Sequence, residues 1–155
     1  MSSLFKIVLV APDIPGNTGT IGRTCVALNL ELILIHPLGF DISEKAVRRA
    51  GLDYWKHVKA SEFKNFNDFL LAHKPDPDKL FFFSKKATQN YFSGKYQKDC
   101  YLIFGSETKG LPEELFEKYP DRFFSMPMYS EHVRSLNLAN ATTAVAYEAL
   151  RQINF

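Results

Sequence analysis

Cysteine is almost missing from this chain: Cys25 and Cys100 stand far apart and form no CxxC pair. That spacing excludes a disulfide framework and a cysteine-built zinc module. The four histidines, His36, His57, His73 and His132, have no metal-ligand spacing among themselves, so a reduced, metal-free protein is expected. Excess charge of either sign is absent too. The 19 Lys and Arg against 17 Asp and Glu leave a net charge of +2, which provides no global basic field of the kind that announces a nucleic-acid partner; any site for one must be local, or shared between copies of the chain. No apolar run approaches the roughly 18 residues a transmembrane helix needs. The amino terminus passes from Met1-Ser2-Ser3 into an apolar strand pattern without the n-region, h-region and cleavage site of a secretory signal. No membrane partner is expected, and the cytoplasm is the expected compartment. Internal repeats, low-complexity stretches and composition breaks are also missing. Residues 74–78 (KPDPD) are the most linker-like segment and read as a surface loop between helix and strand.

What is present is apolar material in short pieces. With 155 residues, 46% hydrophobic and 14% aromatic, the chain can build one well-packed core, and residues 1–155 read as a single domain. Residues 6–11 (KIVLVA) form a continuous apolar run stopped by Pro12, the pattern of a strand buried on both faces. Segments 32–35, 80–83, 100–104 and 123–126 look alike. Between them lie helical patterns over 18–29, over 44–50 with Ser43 as N-cap and Gly51 as stop, and over 62–73 with Ser61 as N-cap. A short helix over 112–118 has Pro112 at its first position. The last element, over 138–153, carries Ala139, Thr142, Val145, Ala146, Ala149 and Ile153 on one face, a small-residue stripe suited to close packing. Strands alternating with helices predict an α/β fold with a mainly parallel sheet flanked by helices, and a ligand site outside the carboxyl ends of the strands. The loops after Ala11, Phe83, Phe104 and Met126 are therefore the ones to inspect.

Three of them carry more polar hardware than turns require. In Pro12-Asp13-Ile14-Pro15-Gly16-Asn17-Thr18-Gly19, Asn17 is placed to cap the following helix, and a strand-to-helix turn with a good cap accounts for much of the segment. Arg23, two turns into a mostly apolar helix, is less easily explained; its planar fork suits a phosphate. The loop Gly105-Ser106-Glu107-Thr108-Lys109-Gly110 has Lys-Gly where a nucleotide P-loop has Gly-Lys-Ser/Thr, and it lacks GxGxxG. It offers glycines that let backbone approach a flat ligand, and one carboxylate for a cation or a ribose hydroxyl. In the third loop, Ser135 or Asn137 is placed to cap the last helix, and Ser, Asn and Asn together ahead of an apolar helix are more polar hardware than one cap needs.

Taken together, Pro15-x-Asn17-x-Gly19-x3-Arg23, Phe104-Gly105-x-Glu107-x2-Gly110-Leu111 and Ser135-Leu136-Asn137-x2-Asn140-Ala141 resemble, in order, the three motifs of the SPOUT-class RNA ribose 2′-O-methyltransferases. Tyr147-Glu148-Ala149 fits the same pattern. The resemblance spans essentially the whole chain, with no added RNA-binding domain. Arg48-Arg49-Ala50-Gly51-Leu52-Asp53-Tyr54 is similar to the minimal members that act on the tRNA wobble nucleotide, cytidine or uridine 34.

The resemblance implies a carboxyl-terminal trefoil knot, a homodimer and S-adenosylmethionine as cofactor, converted to S-adenosylhomocysteine. It implies that backbone near Phe83, Gly105 and Met126 holds the adenine, with further contacts from Ser135 and Leu136. It implies Arg23, Asn17, Glu107, Ser135 and Asn137 as the catalytic set. A guanidinium stays protonated in almost any protein site, so Arg23 is read as binding the phosphate beside the target ribose and stabilising the developing alkoxide. Asn17, Ser135 and Asn137 would orient the ribose and the arginine, and Glu107 would hold Asn17 or Arg23. The expected partner is the tRNA anticodon stem-loop, with Arg48, Arg49, Lys56, Lys59, Lys85, Lys86 and Arg151 as candidate phosphate contacts and Tyr54, Trp55 or Tyr129 as candidates for stacking on a base. Rival readings are 2′-O-methylation of ribosomal RNA or another tRNA position, a non-catalytic RNA-binding or assembly factor of the same fold, and, more weakly, a nucleotide hydrolase.

Overall fold

The computed structural model describes residues 2–50 and 52–155; the helix stop expected at Gly51 lies outside the described residues. The chain runs β1 (Lys6–Val10), α1 (Pro15–Leu28), β2 (Glu31–Ile35), α2 (Glu44–Arg49), β3 (Lys59–Phe63), α3 (Phe66–His73), β4 (Leu80–Phe83), β5 (Gln89–Asn90), β6 (Tyr101–Phe104), α4 (Glu113–Lys118), β7 (Phe123–Ser125) and α5 (Leu138–Asn154). The strands form one seven-stranded sheet in the order β3-β2-β1-β6-β4-β7-β5, with every pairing parallel.

Strands β4 and β6 are buried at every position, and β1 and β2 at all but their first residue, because helices cover both faces. On one face Ile7, Leu9, Leu32, Leu34, Phe81, Phe83, Leu102 and Phe104 pack under Ile21 and Cys25 of α1 and Ala139, Val145, Ala146 and Ala149 of α5. On the other, Val8, Val10, Ile33, Ile35, Phe82 and Ile103 pack under Phe69 of α3 and Leu115 of α4. The small-residue stripe of α5 meets α1, and Thr24 and Thr143 join across that seam by a 2.8 Å hydrogen bond.

Several local expectations are corrected. Residue 62 is not helical: Lys59–Phe63 is an exposed edge strand paired in register with β2, and the helix begins at Phe66 behind Asn65, whose side chain accepts the Asp68 N–H at 2.8 Å. Phe63, Phe66 and Phe69 cluster across this strand-helix junction, Phe63 meeting Phe69 edge-on at 5.9 Å. Asn17 does not cap α1; it lies inside the helix, which starts at Pro15 behind an Ile14 with no side-chain cap. Strand β1 ends at Val10 because Ala11 is left-handed (φ 53°), and Asn29 (φ 56°) closes α1 in the same conformation. Pro112 is the N-cap of α4 and not its first helical residue. Strand β5 is two exposed polar residues and carries no apolar signal by which periodicity would reveal it.

Candidate active site

Because β6 is inserted between β1 and β4, and β7 lies beyond β4, the loops that leave β4, β6 and β7 emerge side by side at one edge. Phe83 and Phe104 are direct partners in the ladder, and their rings stack at 4.8 Å. The loops enclose a cavity of about 620 Å³ whose lining includes Phe83, Gly105, Glu107, Met126, Ser135, Leu136 and Asn137, with Asn17 contributed by α1. The cavity thus sits outside the carboxyl ends of the strands. Of the catalytic and cofactor residues proposed from the sequence, it gathers all but one, and of the proposed RNA contacts only Lys85 and Lys86. Arg23 does not line it; its side chain is on the exposed face of α1, over the ring of Tyr54 at 5.6 Å.

The loop after β6 folds back on itself. Ser106 and Gly110 form a two-bond antiparallel bridge, and the Ser106 hydroxyl accepts the Lys109 N–H at 2.9 Å. Gly110 turns the chain at φ +68°, and a Cβ on Gly105 would collide with the backbone of Gly110 and Leu111. Both glycines are therefore required by the knuckle itself, and they leave its backbone on the cavity wall.

That knuckle presents Glu107 to the start of α1. One carboxylate oxygen accepts the Asp13 N–H at 2.8 Å, and the other accepts the Ile14 N–H at 3.0 Å and the Asn17 Nδ2 at 3.1 Å. Thr108 adds a 2.5 Å hydrogen bond from its hydroxyl to Asp13. A carboxylate at a helix N-terminus complements the macrodipole and satisfies amides that the helix cannot. Glu107 thus fastens the residues just ahead of α1 from more than ninety residues away.

The network continues into the third loop. Asn137 donates its Nδ2 to Asn17 Oδ1 at 3.0 Å, and its own Oδ1 accepts the Asn140 N–H at 3.1 Å, capping α5. The orientation of both amides follows from the ends of this relay. A carboxylate can only accept and a backbone N–H can only donate, so each amide has one satisfying orientation. Asn137, and not Ser135, is the cap; the Ser135 side chain is left exposed at the cavity rim.

Other candidates separate by environment. The Tyr54 hydroxyl donates to the Gly19 carbonyl at 2.7 Å, and Trp55 packs where a Cβ on Gly22 would be, so both rings are committed to α1. Tyr129 is 98% exposed and remains available for stacking. Lys85 and Lys86 line the cavity directly after β4, beside Lys109. Burial pushes the Cys25 thiol up to about 12 and the Cys100 thiol to about 11, and neither touches the cavity, so no thiolate nucleophile serves it. Among the described residues, no three His, Cys, Asp or Glu side chains are grouped to hold a metal ion, and no helix is long and apolar enough to cross a membrane. Sequence reasoning missed the backbone donors of Asp13 and Ile14 and the lining by Phe124 and Met128. Asp13 and Ile14 lay inside a motif loop and could have been suspected; Phe124 and Met128 carried no signal beyond their nearness to a strand end.

Comparison with known proteins places this geometry in context. Residues 4–147 match the SpoU rRNA Methylase family. The chain is 39% identical, over 98% of its length and 97% of the relative's, to the tRNA (cytidine(34)-2′-O)-methyltransferase of Burkholderia cenocepacia. A structure solved for insights into the 2-OH methylation of C/U34 on tRNA superposes with a TM-score of 0.86 at 41% identity, covering 96% of this chain and 95% of that one. The crystal structure of an AdoMet-bound rRNA methyltransferase from Sinorhizobium meliloti gives a TM-score of 0.82 at 25% identity, covering 100% of this chain and 59% of that one.

Proposed function

The chain belongs to the SpoU rRNA methylase family, and from that premise we propose that it transfers the methyl group of S-adenosylmethionine to the ribose 2′-hydroxyl of the wobble nucleotide, cytidine or uridine 34, of tRNA. The choice of tRNA over ribosomal RNA rests on coverage: the tRNA enzymes match from end to end, whereas the ribosomal RNA enzyme has a body beyond the matched part. The observation that carries the reading is the relay Glu107–Asn17–Asn137, which ties the three motif loops together on the wall of one cavity.

The cavity suits the cofactor. Its volume lies within the roughly 300–1,000 Å³ of small-ligand pockets. Phe83, Phe104, Phe124, Met126 and Leu136 provide an apolar wall for a base, and the glycine knuckle presents backbone donors and acceptors to its edge. When bound, S-adenosylmethionine supplies an electrophilic methyl on a sulfonium, already a good leaving group. The protein's task is then to position the ribose oxygen and help it lose its proton.

Asn17 and Asn137, locked by their mutual hydrogen bond, and Ser135, free at the rim, would orient the ribose. Arg23 would bind the adjacent phosphate and stabilise the alkoxide, with the proton leaving to phosphate or water. Its place outside the cavity means that the acceptor strand crosses α1 to touch both. Glu107 holds Asn17 and the start of α1, and its role is positioning. We read residues 1–155 as one catalytic domain, with the trefoil knot that the family implies, working without a metal as a homodimer that shares one tRNA in the cytoplasm. Nucleotide mapping of tRNA incubated with the enzyme and S-adenosylmethionine tests the reading: methyl on the ribose of nucleotide 34 is expected, and methyl on ribosomal RNA alone would overturn it.

A further inference from the structure

Helix α1 carries two glycines on one face, and a folded segment is clamped onto them. Leu52 sits 3.1 Å from the position a Cβ on Gly19 would take, and Trp55 occupies the corresponding space at Gly22. The segment is braced internally by hydrogen bonds from Trp55 N–H to Leu52 O, His57 N–H to Tyr54 O and Val58 N–H to Trp55 O, at 2.9–3.0 Å. Its Tyr54 hydroxyl is fastened to the carbonyl of Gly19, one turn before Arg23, at 2.7 Å. The ring is thereby held alongside the Gly19–Arg23 turn, and the Arg23 guanidinium lies over it at 5.6 Å. Among the described residues no carboxylate pairs with Arg23, so the Tyr54 face is what restrains this long, exposed side chain.

We infer that Tyr54 is a positioning residue for Arg23. Through its ring it holds the guanidinium over α1 in the conformation that meets the RNA phosphate, and through its hydroxyl it fixes the ring. The inference rests on the reading of Arg23 given above. The free arginine would lose rotamer freedom on engaging RNA, and a ring that already restrains it removes part of that cost. A cation over an exposed aromatic face adds a modest attraction. The carbonyl that accepts the Tyr54 hydroxyl belongs to Gly19, a motif glycine whose missing side chain makes room for the clamp. Both effects together amount to roughly a three- to tenfold change in RNA engagement.

The experiment measures methyl transfer to tRNA, RNA affinity and S-adenosylmethionine affinity for Y54L, Y54F, R23A and Y54L/R23A. Y54L is expected to lower kcat/KM for tRNA about three- to tenfold at unchanged cofactor affinity, Y54F to recover only part of the loss because its ring is no longer fastened to Gly19, and Y54L to have no further effect on RNA affinity once Arg23 is gone. Equal loss of RNA affinity with and without Arg23 would overturn the inference, because Tyr54 would then act on RNA or on the fold by itself. Retained turnover in R23A sinks the reading of Arg23; an inactive R23A with no coupling to position 54 sinks only the inference. Should Y54L fail to fold, NMR of the unaltered enzyme decides. Ring-current displacement of the Arg23 side-chain resonances is expected, and its absence would refute the contact.

Discussion

Replacing Glu107 by glutamine changes one atom, yet it should cost nearly as much as removing the side chain. The carboxylate receives three donors, and the relay beyond it has fixed polarity. A glutamine must turn an NH2 group toward at least one donor. If Asn17 flips to meet it, its own NH2 faces that of Asn137; if Asn137 flips in turn, α5 loses its cap at Asn140. Every rearrangement leaves one donor unsatisfied. The orphaned donor, which is the Asp13 N–H when the glutamine oxygen keeps Ile14 and Asn17, costs about 1–3 kcal/mol. A loss of that size lowers the melting temperature of a protein of this size by roughly 2–12 °C. Thermal unfolding followed by circular dichroism measures it. Methyl transfer should fall by about 10²-fold, since displacement of a positioning group by an ångström is enough for that loss. An E107Q enzyme that melts and turns over like the parent, while E107A does not, would refute the relay.

Four further outcomes are expected. R23A should bind S-adenosylmethionine normally by calorimetry and lose methyl transfer; substantial turnover would remove Arg23 from the chemistry. G105A forces a Cβ into the Gly110–Leu111 backbone and should open the knuckle at a cost of about 1–3 kcal/mol, read as weakened cofactor binding and a lowered melting temperature; unchanged binding would show that the knuckle yields. Both thiols are buried and pushed up, so alkylation by iodoacetamide at pH 8 should be slow in the native state and fast in denaturant; rapid native labelling would contradict their burial. Bonding to the Arg151 guanidinium, and then to Gln152, holds the Glu148 carboxyl below its ordinary 4.5, against its burial. With the folded value depressed, this stabilisation is present above pH 4.5 and is lost as pH falls through the lower folded value. E148Q should therefore be less stable than the parent at pH 7, with a gap that narrows in acid; a constant gap would contradict the linkage.

The sequence by itself determined the class of fold and the location of the chemistry. Apolar runs such as 6–10 and 80–83 read as strands buried on both faces because a parallel sheet covered by helices leaves no side for polar residues. Polar surplus marked the loops around Asn17, Glu107 and Asn137, since caps alone do not need so many side chains. Helix boundaries were less legible where a better partner lay elsewhere. Asn65 outcompeted Ser61 because Lys59–Phe63 found a ladder on β2, and Asn17 did not become a cap because Glu107 already served the start of α1. Only the tertiary structure decided how the loops meet. The placement of β6 between β1 and β4 brings Glu107 to amides more than ninety residues earlier, and nothing in local periodicity records such a partnership. The same holds for Arg23, which lies outside the cavity, over Tyr54, because a helix face is assigned to its neighbours by packing and not by the spacing of its residues.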